Sequence, residues 1–424
     1  YIHIPFCVKK CDYCDFLSYA GMGEKVSLYL TALKKDIIHT AEELSLRERK
    51  KAGVSGAAAA DGVNAHPKVS LDSVYIGGGT PGYLPADAIA SVMDTVKEHF
   101  NIASDAEITI ETNPCTVSRE KASAYLEAGI NRVSMGVQSF NDEVLNTLGR
   151  AHNAETAVKA FDILRSSGFE NINIDLISCV PGDSKAGFVK SLKTAIGLAP
   201  EHISAYELII EEGTPFYKKY GPKSGYEADE DFESEIYLET ERILGEAGYD
   251  QYEISNFARS GYESKHNLAY WRQEEYVGCG LGAVSGLEMT GTVLVDGNRQ
   301  AGYESDDGNG ICRRTGWTRK RKQTDLNGYI NDPYITEDEM MDKGEAEKEY
   351  VILALRTSEG LNTERFEKTY GHELPDGIKD VLCRYGASAG NAEISEGLIE
   401  NSGENYHFTP KGFLVSNSIL SEIL

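Results

Sequence analysis

The sequence predicts an α/β protein: an open (β/α)6 partial barrel followed by a small α+β, winged-helix-like module. Three observations predict it. β-rich runs recur at 73–77, 107–111, 132–137, 171–177 and 202–210, about 30 residues apart, with amphipathic segments between them, the spacing of βα units around a parallel sheet. Gly129, Gly168 and Gly248 close such segments in the contexts EAGI, SSGF and EAGY, where a left-handed helix C-cap favours glycine. Adding the strand that leads into the opening stretch YIHIPFCVKKCDYCDF gives six strands, too few for a closed eight-stranded barrel.

That opening stretch carries Cys7, Cys11 and Cys14 in a C-x3-C-x2-C spacing. Thiolates so close on one loop repel each other and favour a metal that neutralises them. Three ligands are one short of a closed zinc site or an ordinary ferredoxin cluster. The economical reading is a [4Fe–4S] cluster with one iron left open. A zinc loop completed by His3, or three unrelated thiols, are the alternatives.

The next element is a helix over about 25–49, with Leu28, Leu33 and Ile37 near helical spacing. Residues 51–70 are small, polar and rich in Gly and Ala, an expected flexible surface insertion without chemistry. The βα units follow; 154–167 shows the pattern, with Val158, Phe161 and Leu164 on one face. In parallel α/β sheets ligands bind at the carboxyl ends of strands. Strand one ends at the cysteines, the second at Gly77-Gly78-Gly79-Thr80-Pro81, the third at Glu111-Thr112-Asn113 and the fourth at Gln138-Ser139, while the fifth carries Asp175. The candidate residues thus share one end of the sheet, an agreement stronger than any single motif.

Beyond 215 a helix over about 229–248 is expected from Phe232, Ile236, Ile243 and Leu244, then a β-rich segment over 249–257. The stretches KHNLAYW (265–271) and YVGCGLGA (276–283) follow. Residues 299–328 read as a second polar insertion. Its basic run, Arg313, Arg314 and 319–322, is expected to be a solvated loop. From Asp338 the pattern becomes helix, helix, a hairpin near 401–405 and a final helix. The domains expected are therefore 1–215, 216–335 and 336–424.

Composition narrows the function. The 424 residues carry 42 basic and 67 acidic side chains, a formal charge of −25, which repels nucleic acid and anionic lipid. A DNA-reading winged helix needs basic residues, yet 410–424 offers Lys411 beside Glu422. No apolar run reaches the ~20 residues of a membrane span, and no secretory segment opens the chain. Clustered rather than paired cysteines fit a reducing cytoplasm. Cys115, Cys179, Cys279, Cys312 and Cys383 are read as thiols without a role. The chain begins at Tyr1 rather than Met, so upstream residues are expected.

The glycine run lets backbone approach a ligand closely. A molecule offering an amine and a carboxylate would chelate the open iron there. Glu111, Gln138, Arg150 and Asp175 supply hydrogen-bond acceptors and a cation.

Taken together, C-x3-C-x2-C and Gly-Gly-Gly-Thr-Pro resemble the radical S-adenosylmethionine (SAM) superfamily. In that superfamily a reduced [4Fe–4S] cluster cleaves SAM to a 5′-deoxyadenosyl radical. YIHIPF (1–6), NRVSMGVQSF (131–140), LGRAHN (148–153), NIDL (173–176) and YEISNF (252–257) resemble its coproporphyrinogen-dehydrogenase-like branch. The resemblance implies that Cys7, Cys11 and Cys14 hold the cluster. It implies that Tyr1, Gly78, Gly79, Thr80, Glu111, Gln138, Arg150 and Asp175 hold SAM.

Two members of the branch compete. Coproporphyrinogen III dehydrogenases decarboxylate propionates to vinyl groups; they usually carry a fourth cysteine two residues after the third and a longer N-terminal extension. Here that position is Phe16, and the chain starts close to the motif. Phe16 and HNLAYW resemble instead the heme chaperones of the HemW type. That resemblance implies heme as cargo, contacted by His266, Asn267, Tyr270 and Trp271, through an axial imidazole and flanking aromatic faces. It further implies a heme-accepting protein and an electron donor such as flavodoxin or ferredoxin. A homodimer is left open.

Overall fold

The computed structural model describes residues 1–51, 68–226, 229–290, 313–386 and 397–424. Its main sheet has six parallel strands: β1 (Ile2–Ile4), β4 (Ser70–Gly78), β5 (Asn101–Thr112), β6 (Arg132–Gln138), β7 (Ile172–Ser178) and β8 (His202–Glu207), in that spatial order. Each strand neighbours the next in sequence, and the short parallel pair β2 (Phe6–Cys7) and β3 (Tyr19–Ala20) lies at the first turn. The expected open six-stranded barrel is present. An antiparallel hairpin, β9 (Asp250–Glu253) and β10 (Asn256–Ala258), extends it beyond β8. At the opposite edge the 276–283 loop runs beside β1: His3 N–H donates to Cys279 C=O at 2.9 Å, and Cys279 N–H to Tyr1 C=O at 2.8 Å.

Helices α1 (Val26–Lys51), α2 (Ala86–His99), α3 (Arg119–Glu127), α4 (Asp142–Thr147), α5 (Ala154–Ser167) and α6 (Lys185–Leu198) connect the strands. Their apolar stripes and the outward strand residues form one core around Leu33, Ile76, Ile110, Val133, Ile174 and Leu192. Outward apolar residues alternate with mostly polar inward ones, among them Glu111, Ser134, Asn173, Asp175 and Ser204, so the barrel interior is largely polar. Helix α5 ends at Gly168, φ +111°, as the sequence predicts.

β5 begins six residues before its expected start. Its first half, NIASD, is too polar for a period-two signal, yet it pairs with Ser70 and Leu71 across a register shift. Helices α7 (Pro215–Tyr220) and α8 (Glu230–Glu246) follow β8, and α9 (Lys265–Trp271) follows the hairpin.

The second insertion is corrected. The described part of 299–328 includes β12 (Arg314–Lys322), the central strand of an antiparallel sheet between β11 (Val284–Thr290) and β13 (Thr336–Met341), and the start of α10 (Leu326–Asn331). The basic run is therefore a strand, not a solvated loop. Arg319, Lys320 and Arg321 face Glu339, Asp338 and Glu337 in register, and opposite charges directly across a ladder stabilise it. Arg314 is buried against Glu288 and the Trp317 ring, and the Lys322 ammonium lies 2.6 Å from the Asp36 carboxylate. The same pairing makes 336–341 a strand, where a helix was expected from 338. Of the first insertion, 52–67 lies outside the described residues.

The C-terminal part runs α11 (Lys343–Leu355), β14 (Leu361–Asn362), α12 (Thr363–Tyr370), α13 (Asp376–Arg384) and the hairpin β15 (Ile399–Ser402) and β16 (Asn405–Phe408). The three strands form one sheet, the winged-helix arrangement. Two short helices, α14 (Pro410–Leu414) and α15 (Ser416–Leu420), replace the single final helix expected. Among the described residues no helix is long and apolar enough to cross a membrane.

Candidate functional site

The parallel strands deliver their carboxyl ends to one cavity of about 400 Å³. Cys7, Cys11, Cys14, Gly78, Gly79, Thr80, Glu111, Gln138, Arg150 and Asp175 all line it, as does Asn267 from α9. Strand ends and the family resemblance together pointed to this set, except Asn267, which was expected at heme. Tyr1 is the exception among the expected SAM residues: it lines a second cavity, stacked on Tyr75 with ring centroids 6.2 Å apart.

The cysteine loop is held from both sides. Asp12 N–H donates to Leu148 C=O at 3.3 Å, and Phe216 N–H donates to Asp12 C=O at 2.9 Å. Tyr13 packs beside Leu148 and Phe216. Cys7 is buried, and Cys11 and Cys14 are half-buried. Arg150 donates to Cys11 Sγ at 3.3 Å and to the Gly136 carbonyl, while Thr80 Oγ1 donates to Cys7 Sγ at 3.6 Å. Burial pushes the Cys7 and Cys14 thiols up; a bound cation reverses that shift and selects the thiolate.

His3 does not complete a zinc loop. Its Nε2 lies 2.9 Å from the Leu17 carbonyl and its Nδ1 2.9 Å from the Tyr1 hydroxyl, and it does not line the cysteine cavity. Among the described residues no three metal-ligating side chains already stand together as a preformed site. The loop does fit a cluster wider than a single ion. Cys7, Cys11 and Cys14 open onto one space, and a Cβ on Gly79 would reach within 2.9 Å of Cys7 Sγ, so only glycine leaves that wall clear.

The other two glycines are equally constrained. Gly78 has φ +115°, and a Cβ there would stand 2.6 Å from the His3 ring; one on Gly77 would meet Glu111 Oε1 at 2.9 Å. The glycine run presents Gly78 N–H to Glu111 Oε2 at 2.9 Å, and Tyr75 hydroxyl donates to Oε1 at 2.9 Å. Burial raises Glu111 to about 7 and pushes Asp175 up as well. Gln138 closes β6 at φ +69°, a left-handed conformation that costs energy for a non-glycine residue and clusters at functional sites.

The cavity floor holds residues that motif reading passed over: Tyr75, Arg132, Ser134, Asn173, Ser204 and Tyr206. Their signal was available as period-two polar alternation, Arg132-x-Ser134 and Asn173-x-Asp175, within apolar strands. Arg132 is only 2% exposed, with its Nε 3.9 Å from Glu107. Arg132 and Arg150 line the cavity together with Glu111 and Asp175, so it presents guanidiniums and carboxylates side by side. That suits a ligand carrying both an ammonium and a carboxylate.

The HNLAYW residues sit on α9, which enters the barrel from the end opposite the cysteines, and they diverge. His266 is 5% exposed; Nδ1 lies 2.9 Å from Ser73 Oγ and Nε2 2.9 Å from the Tyr270 hydroxyl, with the ring stacked on Tyr75 at 5.0 Å. Burial pushes its imidazole well below its ordinary range. Tyr270 stands edge-on to Tyr276, Asn267 faces the cofactor cavity, and Trp271 lines a separate pocket with Tyr350 and Arg365.

Residues 1–195 match the model of the radical SAM superfamily. Over its whole length the chain is 33% identical to the heme chaperone HemW of Bacillus subtilis, covering 98% of that protein. The chain belongs to the HemW family of radical SAM proteins. The heme chaperone HemW of Haemophilus influenzae is 32% identical over all of this chain and 97% of its own. Coproporphyrinogen III oxidase (HemN) from Escherichia coli superposes with a TM-score of 0.73 over all of this chain and 88% of its own, at 22% identity, and so shares the fold. The superfamily implies a [4Fe–4S] cluster and SAM, and the cavity's donor set fits both. When bound, they supply one-electron chemistry at the mouth of the barrel.

Proposed function

We infer that this chain is a heme chaperone, holding heme as cargo and passing it to an acceptor protein. The observation that carries this reading is the match along the whole chain, HNLAYW helix included, to proteins named heme chaperone HemW. Phe16 at the position of a fourth cysteine agrees with it.

In this proposal Cys7, Cys11 and Cys14 hold the cluster, with Arg150 and Thr80 donating to two of the sulfurs. Gly78, Gly79 and Thr80 shape the wall beside SAM. Glu111, Gln138 and Asp175 accept its donors, and Tyr1 supports Tyr75 from behind. His266 supplies the imidazole for heme, with Tyr270 and Trp271 as aromatic neighbours and Asn267 bridging towards SAM. Because both His266 ring nitrogens are engaged, heme ligation requires α9 to loosen. Residues 336–424 offer the surface for the acceptor, a flavodoxin- or ferredoxin-type donor reduces the cluster, and the compartment is the cytoplasm.

The second reading, oxidative decarboxylation of coproporphyrinogen III, rests on a shared fold and shared SAM residues, which do not separate the two. The test uses anaerobically reconstituted, reduced protein with SAM. Heme titration giving a saturable Soret shift that His266→Ala abolishes, with no porphyrin product from coproporphyrinogen III, is the expected result. Protoporphyrinogen formed with matching 5′-deoxyadenosine would overturn it.

A further inference from the structure

A chain of buried hydrogen bonds crosses the barrel interior between the cofactor cavity and α9. Ser264, the N-cap of α9, donates its backbone N–H to the Tyr252 hydroxyl at 3.3 Å. Tyr252 O–H lies 2.8 Å from His202 Nε2, and His202 Nδ1 lies 2.7 Å from Asn173 Oδ1. Asn173 Nδ2 donates to Asp175 Oδ1 at 2.6 Å. Since the Asn173 oxygen can only accept, His202 carries its proton on Nδ1, Nε2 accepts from Tyr252, and every donor points towards the Asp175 carboxylate. Such aligned chains polarise one another, and this one ends on a charge-assisted bond. A second tie fixes the same helix start: Glu107 accepts from Ser264 Oγ at 3.1 Å, Lys265 N–H at 3.1 Å and His266 N–H at 3.3 Å.

The geometry points to Tyr252 and His202 as positioning residues that couple the SAM site to the HNLAYW helix, so that SAM on Asp175 opposes heme at His266. This rests on the heme reading above. Donors arriving on Asp175 immobilise its carboxylate and, through Asn173, His202 and Tyr252, the first turn of α9. A first turn held in place keeps His266 sealed between Tyr75 and Tyr270. Releasing the ring then costs more, and by linkage heme must weaken SAM by the same factor.

Tyr252→Phe removes only the hydroxyl that joins His202 to Ser264. The experiment titrates heme into cluster-loaded protein with and without saturating SAM, and measures hydrogen exchange of the 264–267 amides in the same four samples. In the unsubstituted protein SAM is expected to weaken heme binding by roughly fivefold or more and to slow those amides, a coupling of ordinary allosteric size. In Tyr252→Phe both ratios should fall to about one while the affinity for SAM alone changes less than about threefold, which a merely structural defect would not produce. Coupling that survives in Tyr252→Phe, coupling absent without the substitution, or tighter heme binding with SAM would each overturn the inference. If heme does not bind the unsubstituted protein, the chaperone reading fails and the amide exchange alone decides the coupling.

Discussion

The Glu111 carboxylate takes the Gly78 backbone N–H on one oxygen and the Tyr75 hydroxyl on the other, each at 2.9 Å. A single side chain thus anchors the glycine run, fixes an aromatic ring against the HNLAYW helix and lines the cofactor cavity. Burial raises it to about 7, and neighbouring Asp175 adds to the rise. Tyr75, Gly78 and Arg132 pull back. A ligand bringing positive charge binds the ionised form. SAM affinity of cluster-loaded protein is therefore expected to rise by about tenfold per pH unit below 7 and to level off above it. Glu111→Gln should flatten that slope in calorimetry at fixed ionic strength. A flat profile in the unsubstituted protein would refute the assignment.

Gly79 tests the cluster site. Its Cβ would stand 2.9 Å from both Cys7 Sγ and the Phe6 carbonyl oxygen. The Phe6 carbonyl already accepts the Thr80 N–H at 2.9 Å, so the backbone has little room to give. Gly79→Ala should reconstitute to less than about half the iron and sulfide per chain, while its urea midpoint stays within an ordinary small-mutation shift. Full iron content in this variant would mean that the wall beside Cys7 is not where the cluster sits.

Legibility in the sequence followed local signal strength. The six parallel strands announced themselves by short apolar, β-rich runs at regular spacing, with Gly129 and Gly168 marking the helix ends before β6 and β7. The cavity lining was legible because chemistry collects at strand ends, where Cys7, Gly78, Glu111 and Gln138 fall, with Asp175 inside β7. Illegible were features decided by a distant partner. The basic 314–322 stretch reads as loop until acidic 336–341 lies beside it, since neither strand is apolar enough to announce itself. Nor could the sequence reveal that Tyr252 and His202, some 50 residues apart in sequence, meet inside the barrel. His266 shows the converse limit: the motif singled the residue out, but its burial and two engaged nitrogens are tertiary facts.

Lys322 was among the residues misread as solvated, and its burial makes a sharp test. Asp36, fully buried on α1, meets Lys322 Nζ at 2.6 Å and accepts Gly280 N–H at 2.9 Å and Tyr329 hydroxyl at 2.8 Å. It ties α1, the loop beside β1, β12 and α10 together. Lys322→Met strands a buried carboxylate, so a loss of about 3–5 kcal/mol in urea unfolding is expected. Pairing it with Asp36→Asn removes the orphaned charge and should recover part of that loss. Additive losses in the double variant would show that the two side chains do not interact.

Glu253 sets a pH dependence on stability. It lies on β9 at the junction with the C-terminal part, where it bridges to Thr357, and is 1% exposed. Burial raises it to about 7, with Asn256, the Ser255 and Ile254 backbones and Arg356 opposing the rise. Its ordinary value is 4.5. Between these two values the folded chain holds a proton that the unfolded chain has released. Its contribution is therefore fully present below 4.5 and lost as pH rises through 7. The full loss is on the order of 3 kcal/mol. Glu253→Gln keeps the shape and the Asn256 contact without the charge. It should unfold at higher urea than the unsubstituted protein at pH 8, with the difference shrinking towards pH 5. A variant less stable than its parent at pH 8 would mean that Glu253 is ionised and paired in the folded protein, with Arg356 as the partner to test next.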